Sequence, residues 1–219
     1  MIERLVPAPV AAAEAFADVD ESLMWPEEAE AIARAVSRRR REYGTVRHLA
    51  RQSLQRLGLP PAAVPAGENR EPRWPAGVVG ALTHCAGYRA AVLAHARDVH
   101  GLGVDAEPHA PLPDGVLGTV ARDEELPRLA GLAADHPDVH WDRLLFCAKE
   151  SVYKVWFPLA RCWLGFEDAS VTLRPDGTFS AALVEHRLAA GGVERDRLDG
   201  RWLAGRGLLV TAITLPAPG

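Results

Sequence analysis

The sequence predicts an α+β protein, and three observations predict it. From Trp141 onward, Leu145, Ala148, Val152 and Val155 fall on the i, i+3, i+7, i+10 stripe of a core-facing helix. Apolar runs at 78–82, 90–94 and 102–106 read as a β-meander, with a turn near Arg97-Asp98. The C-terminal third reads as β again. Runs at 166–173 and 178–184 flank Pro175-Asp176-Gly177, and runs at 201–204 and 208–215 flank Gly205-Arg206-Gly207.

The remaining elements follow in order. Residues 5–10 carry two prolines, which excludes a central strand. Pro26 with Glu27, Glu28 and Glu30 marks a helix start, because proline fits a first turn and acids favour the positive end of the dipole. That helix is expected to reach Ser37 or beyond, with Arg38-Arg39-Arg40-Arg41 at its end. A second helix over 45–57 has Val46, Leu49, Ala50, Leu54 and Leu57 on one stripe, and Gly58 with Pro60-Pro61 ends it. Residues 58–77 form a Pro- and Gly-rich loop, long enough to be functional or mobile. Residues 109–139 are irregular, with one helix over 123–132. Phe157-Pro158 closes the helix that starts near Trp141.

Composition bounds the class. The chain has 219 residues, 48% of them hydrophobic, enough for one large domain or two small ones. Lys and Arg number 25 against 29 Asp and Glu, a formal charge of −4. That balance argues against nucleic acid or an anionic membrane as the main partner. Cys85, Cys147 and Cys162 are odd in number and widely spaced, so neither a disulfide framework nor a zinc site is supported. The N-terminus has no signal pattern, and no apolar run approaches the ~20 residues of a membrane-spanning helix. A cytoplasmic protein with reduced thiols is expected.

Two stretches carry chemistry. In Gly103-Val104-Asp105-Ala106-Glu107-Pro108 the two carboxylates sit two apart, so an extended backbone points both to one side. They are either a solvated strand end or a face for a hard cation such as Mg2+. Glu150 and Lys154 fall nearly opposite the apolar stripe, one helical turn apart. As an exposed pair they would add only about 0.2–0.5 kcal/mol, yet Phe146 and Tyr153 flank Glu150, so that face packs against something. The four arginines are either a solvated helix end or a small-anion site, and Arg39, Arg47 and Arg51 have the guanidinium fork that pairs with phosphates. His84 alone reads as a structural histidine.

Together these stretches resemble a known family. Residues 103–108, the later Phe146-Cys147-Ala148-Lys149-Glu150-Ser151-Val152-Tyr153-Lys154, and the upstream Leu82-Thr83-His84-Cys85-Ala86-Gly87-Tyr88 resemble the motifs of 4′-phosphopantetheinyl transferases. Length and motif order are similar to the monomeric surfactin- and enterobactin-synthetase type, with an actinobacterial-like branch nearest. The motifs cover roughly residues 37–165.

The resemblance implies two similar, pseudo-symmetric α+β halves, residues 1–108 and 109–219, with the active site in the cleft between them. It implies transfer of the 4′-phosphopantetheine arm of coenzyme A to a serine of an apo acyl, peptidyl or polyketide carrier protein, leaving 3′,5′-ADP. Asp105, the Ala106 carbonyl, Glu107 and Glu150 are then expected to hold Mg2+, with Mn2+ as a substitute, at about 2.1 Å. Glu150 becomes the base for the serine proton, and Asp105 and Lys154 complete the catalytic set. Lys154 neutralises the pyrophosphate, while Lys149 has a structural or carrier-facing role. Arg39, Arg47 and His84 match coenzyme A-binding positions. Arg70 stands near the place of a loop lysine, and Ala81 replaces a serine common in the family. A monomer is implied. Two other readings are a catalytically silent coenzyme A or carrier-binding module of the same fold, and a different Mg2+-dependent phosphoryl enzyme.

Overall fold

The structure is a computed structural model and describes residues 1–217. The first strand, β1 (Ala11–Ala15), starts just after the prolines that bar residues 5–10 from a sheet. The helix opened by Pro26 stops early, as α1 (Pro26–Ala29), and runs into a 3-10 turn at Glu30–Ile32. The long helix α2 (Ser37–Arg56) therefore begins before residue 45 and takes the arginine run into its first turns. That is a correction with an electrostatic point. Cations at a helix N-terminus oppose the dipole. Here carboxylates offset them: Glu42 lies 3.8 Å from both Arg38 and Arg39, and Glu21 lies 3.2 Å from Arg40. The expected stripe holds, with Val46, Leu49, Ala50 and Leu54 buried.

After the long loop come β2 (Val78–Cys85) and β3 (Tyr88–His95), a hairpin turning at Gly87 with φ +74°. β1 adds to β3, giving a three-stranded antiparallel sheet in the order β1-β3-β2. α2 lies on this sheet, over Ala13, Ala91 and Leu93. The next strand, β4 (Val99–Pro108), departs from the expected meander. It leaves β3 and pairs with the last strand of the chain, because that strand offers it an antiparallel partner along its whole length.

The irregular segment holds two helices, α3 (Leu117–Val120) and α4 (Leu126–Asp135), the second shifted C-terminally from 123–132 because Pro127 sets its first turn. Then comes α5 (Trp141–Ala160). Pro158 does not end it. The helix runs one more turn and stops at Arg161, whose left-handed φ of 56° lets its N–H cap Phe157 at 2.9 Å. A proline this near the C-terminus removes one helical hydrogen bond and no more of the ladder.

The remainder is β5 (Ala169–Leu173), β6 (Thr178–Leu183), a small hairpin of β7 (Leu188–Ala190) and β8 (Val193–Arg195), then β9 (Arg197–Gly205) and β10 (Leu208–Pro216). The run expected as strand from residue 166 opens as a 3-10 turn, Phe166–Asp168. The β7–β8 hairpin, turned by Gly191 and Gly192, sits in what read as a charged loop. Five strands form one sheet in the order β4-β10-β9-β6-β5. α5 covers one face through Leu144, Leu145, Val152, Phe179, Leu209 and Ile213. On the other face Leu102, Val104, Val210 and Ala212 share a core with Tyr88 and Val92 of the first sheet. Helix on sheet thus occurs twice, as the α+β reading expects. Among the described residues, no helix is long and apolar enough to cross a membrane.

Candidate active site

Strand alternation places Gly101, Gly103, Asp105 and Glu107 on one face of β4. The two glycines let α5 come close. A Cβ on Gly103 would collide with the Ser151 carbonyl and lie 2.6 Å from Val155, and one on Gly101 would sit 3.2 Å from Leu159. The next residues on that face are therefore carried against the helix. Beneath them Ser151 Oγ and Thr211 Oγ1 share a 2.6 Å hydrogen bond, and Thr211 donates to the Cys147 carbonyl at 3.0 Å. This buried polar seam joins α5 to β10, directly opposite Asp105 in register.

Asp105 is held from two sides. Its Oδ1 accepts from Lys154 Nζ at 2.7 Å and from Thr83 Oγ1 at 3.0 Å. Thr83 in turn accepts from the Ala106 N–H at 3.0 Å, and Lys154 also donates to the Val104 carbonyl at 3.0 Å. Asp105 Oδ2 is buried with no hydrogen-bond partner among the described residues. Glu107 accepts from Arg143 Nη1 at 2.9 Å. Glu150 has no such donor among the described residues. Burial, then the charges of Asp105 and Glu107, push its pKa up against the pull of Lys154. Glu107 is also raised, by burial and then Asp105, with Arg143 opposing. Burial alone would lower Lys154, but Asp105 and Glu150 outweigh it and raise its pKa, so it stays a cation. Lys154 thus pairs with Asp105 where α5 packs on β4.

Three carboxylates feel one another here without forming a ligand set. Among the described residues no group of three His, Cys, Asp or Glu side chains is gathered to hold a metal ion. Lys154 and Arg143 each hold one of these carboxylates, Asp105 and Glu107, on a separate cation. Ala106, expected to offer its carbonyl, is fully buried in β4. The donor chemistry still fits a hard divalent cation. Mg2+ needs only one or two carboxylates and fills its shell with water and phosphate oxygens. The unpartnered Asp105 Oδ2 and the raised Glu107 and Glu150 are oxygens that a cation would satisfy.

Beside this cluster stands a cationic one. His84 Nε2 contacts Arg39 Nη1, and Nδ1 lies 3.6 Å from Glu42. Burial, then Arg39, Lys154, Arg89 and Arg47, press its pKa down to about 4, so His84 is neutral at pH 7. Arg47 is 5% exposed, stacks 3.3 Å from the Tyr43 ring centroid and donates to the Val64 carbonyl at 3.2 Å. Burial lowers it to about 10, which leaves it charged. Arg39, Arg47, His84 and Lys154 thus form one electrostatic neighbourhood. Arg51 does not join it: Glu28 takes its guanidinium at 2.6 Å in a buried ion pair. Arg70 sits exposed in the loop with a φ of 68°, and its side chain makes no hydrogen bond or ion pair among the described residues. Nearby, a cleft of about 590 Å³ is lined by Arg73, Trp74, His100, Lys154 and Arg161.

Lys149 points away from this cluster. It forms a buried ion pair with Glu125 at 2.8 Å and donates to the Val120 and Phe166 carbonyls, tying α5 to the segment before α4. Sequence reasoning missed Glu42, Thr83 and Arg143. Glu42 left no signal there. Thr83 stood in the motif without a role. Arg143 was findable, since it precedes Glu150 by two helical turns and so shares its face.

Two family models match in succession. Residues 27–94 match the 4′-phosphopantetheinyl transferase N-terminal domain, and residues 101–202 match the 4′-phosphopantetheinyl transferase superfamily. The chain is 51% identical over 222 residues to the 4′-phosphopantetheinyl transferase Svp of Streptomyces mobaraensis, covering 100% of this chain and 90% of the relative. It is 46% identical to PptT of Mycobacterium tuberculosis, covering 98% of each chain, and 45% identical to Npt of Nocardia iowensis, covering 97% of this chain and 99% of the relative. With a cationic cluster and a carboxylate–lysine cluster meeting where β4 and α5 touch, and such likeness along its whole length, this chain belongs to the 4′-phosphopantetheinyl transferase superfamily and is of the actinobacterial type.

Proposed function

We propose that this transferase uses Asp105, Glu107, Glu150 and Lys154 to move 4′-phosphopantetheine from coenzyme A to the serine of an apo carrier protein, with Mg2+ or Mn2+ bound. The observation that carries this reading is the meeting of the carboxylates with Lys154 beside the Arg39–Arg47–His84 cluster. Arg39 and Arg47 hold phosphate oxygens of coenzyme A by charge-assisted hydrogen bonds, and neutral His84 contributes a hydrogen bond without adding charge. Arg70 supplies a further cation from the loop. Asp105, Glu107 and Glu150, with the Ala106 carbonyl, would hold the divalent ion, whose chemistry is to neutralise pyrophosphate oxygens.

Glu150 is the base. Its pKa, raised by burial and by Asp105, makes it a stronger base than a solvated carboxylate. It takes the serine proton as the serine oxygen forms its bond to the phosphorus that carries pantetheine. The bond from that phosphorus to the bridging oxygen breaks, and 3′,5′-ADP leaves. Lys154 then serves that leaving oxyanion as a point charge.

The same reading divides the chain into halves at 1–108 and 109–219, with β4 leaving the first to join the sheet of the second. It places a monomer in the cytoplasm, acting on acyl, peptidyl or polyketide carriers. The test is to incubate the protein with apo carriers of all three kinds, coenzyme A and Mg2+, and to look for the added phosphopantetheine mass. Addition to at least one is expected; addition to none overturns the proposal.

A further inference from the structure

Two cations answer the carboxylates of β4, and they are held differently. Lys154 reaches Asp105 with one flexible ammonium, and its side chain is 27% exposed. Arg143 is 16% exposed and engages its whole fork. Nη1 donates to Glu107 Oε2 at 2.9 Å, Nη2 to the Pro111 carbonyl at 2.8 Å, and Nε to the Ala110 carbonyl at 3.2 Å. The preceding residue, Asp142, accepts from the Leu112 N–H at 2.8 Å. The first turn of α5 thus grips the chain from Glu107 to Leu112, where it leaves β4.

This asymmetry separates the tasks. A lysine with one carboxylate and one carbonyl can swing to an incoming phosphate. An arginine fixed to three acceptors stays where it is. We propose that Arg143 is a positioning residue for the cation-binding face. It immobilises one carboxylate oxygen of Glu107, so that the other is offered in a single orientation to a divalent cation. The inference rests on the metal reading above and deepens it.

Arg143 has two opposed effects on a bound cation. Its charge repels the ion, whereas its geometry pre-orders a ligand. Lysine at this position keeps the charge and loses the fork, so Arg143→Lys isolates the geometry. Asp142→Asn loosens the same segment without touching Glu107. The experiment titrates Mn2+ into the full-length protein with saturating coenzyme A, following free Mn2+ by electron paramagnetic resonance. Arg143→Lys should weaken Mn2+ binding by roughly ten-fold, the loss typical of a group that orients a metal ligand. Asp142→Asn should leave it near wild type, and coenzyme A affinity measured without metal should change in neither.

Wild-type Mn2+ affinity in Arg143→Lys overturns the positioning role alone. An equal loss in Asp142→Asn assigns the effect to the segment 108–112 and overturns it too. No Mn2+ binding by the wild-type protein overturns the metal reading, and this inference with it.

Discussion

The two long helices, α2 and α5, are both 20 residues and each lies on an antiparallel sheet. They do opposite work. α2 rests on Ala13 and Ala91, and its Arg38, Arg39, Arg40 and Arg51 are answered by Glu42, Glu21 and Glu28. α5 rests on glycines of β4, and its polar face carries Glu150, a carboxylate with no hydrogen-bond donor among the described residues. One methyl group per contact separates alanine from glycine. Losing it lets α5 sit close enough for Lys154 to reach Asp105 on the strand beneath. Close backbone approach thus assembles the carboxylate–lysine cluster, while ordinary alanine packing suffices beneath the cluster proposed to attract phosphate.

The largest expected effect falls on the reactive helix. Glu150→Gln should lower kcat by about 10²–10⁴-fold, the range for a general base, while coenzyme A binding changes little. Near-normal turnover would show that another group takes the serine proton.

Gly103→Ala tests the glycine contact directly. The new methyl meets backbone, which cannot rotate away, so stability should fall by about 1–3 kcal/mol and turnover with it. Thermal melts and steady-state rates report both. An unchanged melting temperature together with unchanged turnover would remove the contrast between the helices.

Arg47→Ala probes the other side. Binding of coenzyme A, measured calorimetrically, should weaken by about 1.5–3 kcal/mol, the worth of hydrogen bonds to charged groups. At saturating coenzyme A, kcat should fall far less than in Glu150→Gln. A large kcat loss with intact binding would put Arg47 in the chemistry instead.

The smallest effect is in the pH dependence of stability. Burial and the surrounding cations hold the folded pKa of His84 at about 4, against an ordinary value of 6.5. Between those values the unfolded chain binds a proton that the folded protein does not. Stability should therefore fall as pH falls from 6.5 toward 4, and His84→Gln should flatten that slope in urea unfolding curves. Glu150 has the opposite sign, since burial raises its folded pKa. Its cost is fully present above that raised value and fades as pH drops toward 4.5. A steeper slope in His84→Gln would mean that the cations around His84 do not govern its protonation.

Local geometry accounts for what was legible in the sequence. A two-residue strand period puts Asp105 and Glu107 on one face, and a 3.6-residue helical period puts Glu150 and Lys154 together, whatever surrounds them. Hydrophobic stripes likewise marked most of the helices and strands. Long-range pairing was not legible. β4 leaves β3 for β10, at the far end of the chain, and no local pattern encodes that choice. The start of α2 was hidden because four arginines read as a helix end until Glu21 folds onto them from the preceding segment and Glu42 joins them one turn along the same helix.

The sequence by itself determined the residue types, their faces and the family they resemble, since these depend on chain periodicity and spacing. Only the tertiary structure decided which cation answers which carboxylate. Lys154 chose Asp105 over its own helical neighbour Glu150, and Arg143 took Glu107. The physical reason is that a charge pairs by distance through space, and here that distance is set by Gly101 and Gly103 on the strand whose Asp105 lies 49 residues before Lys154 in the chain.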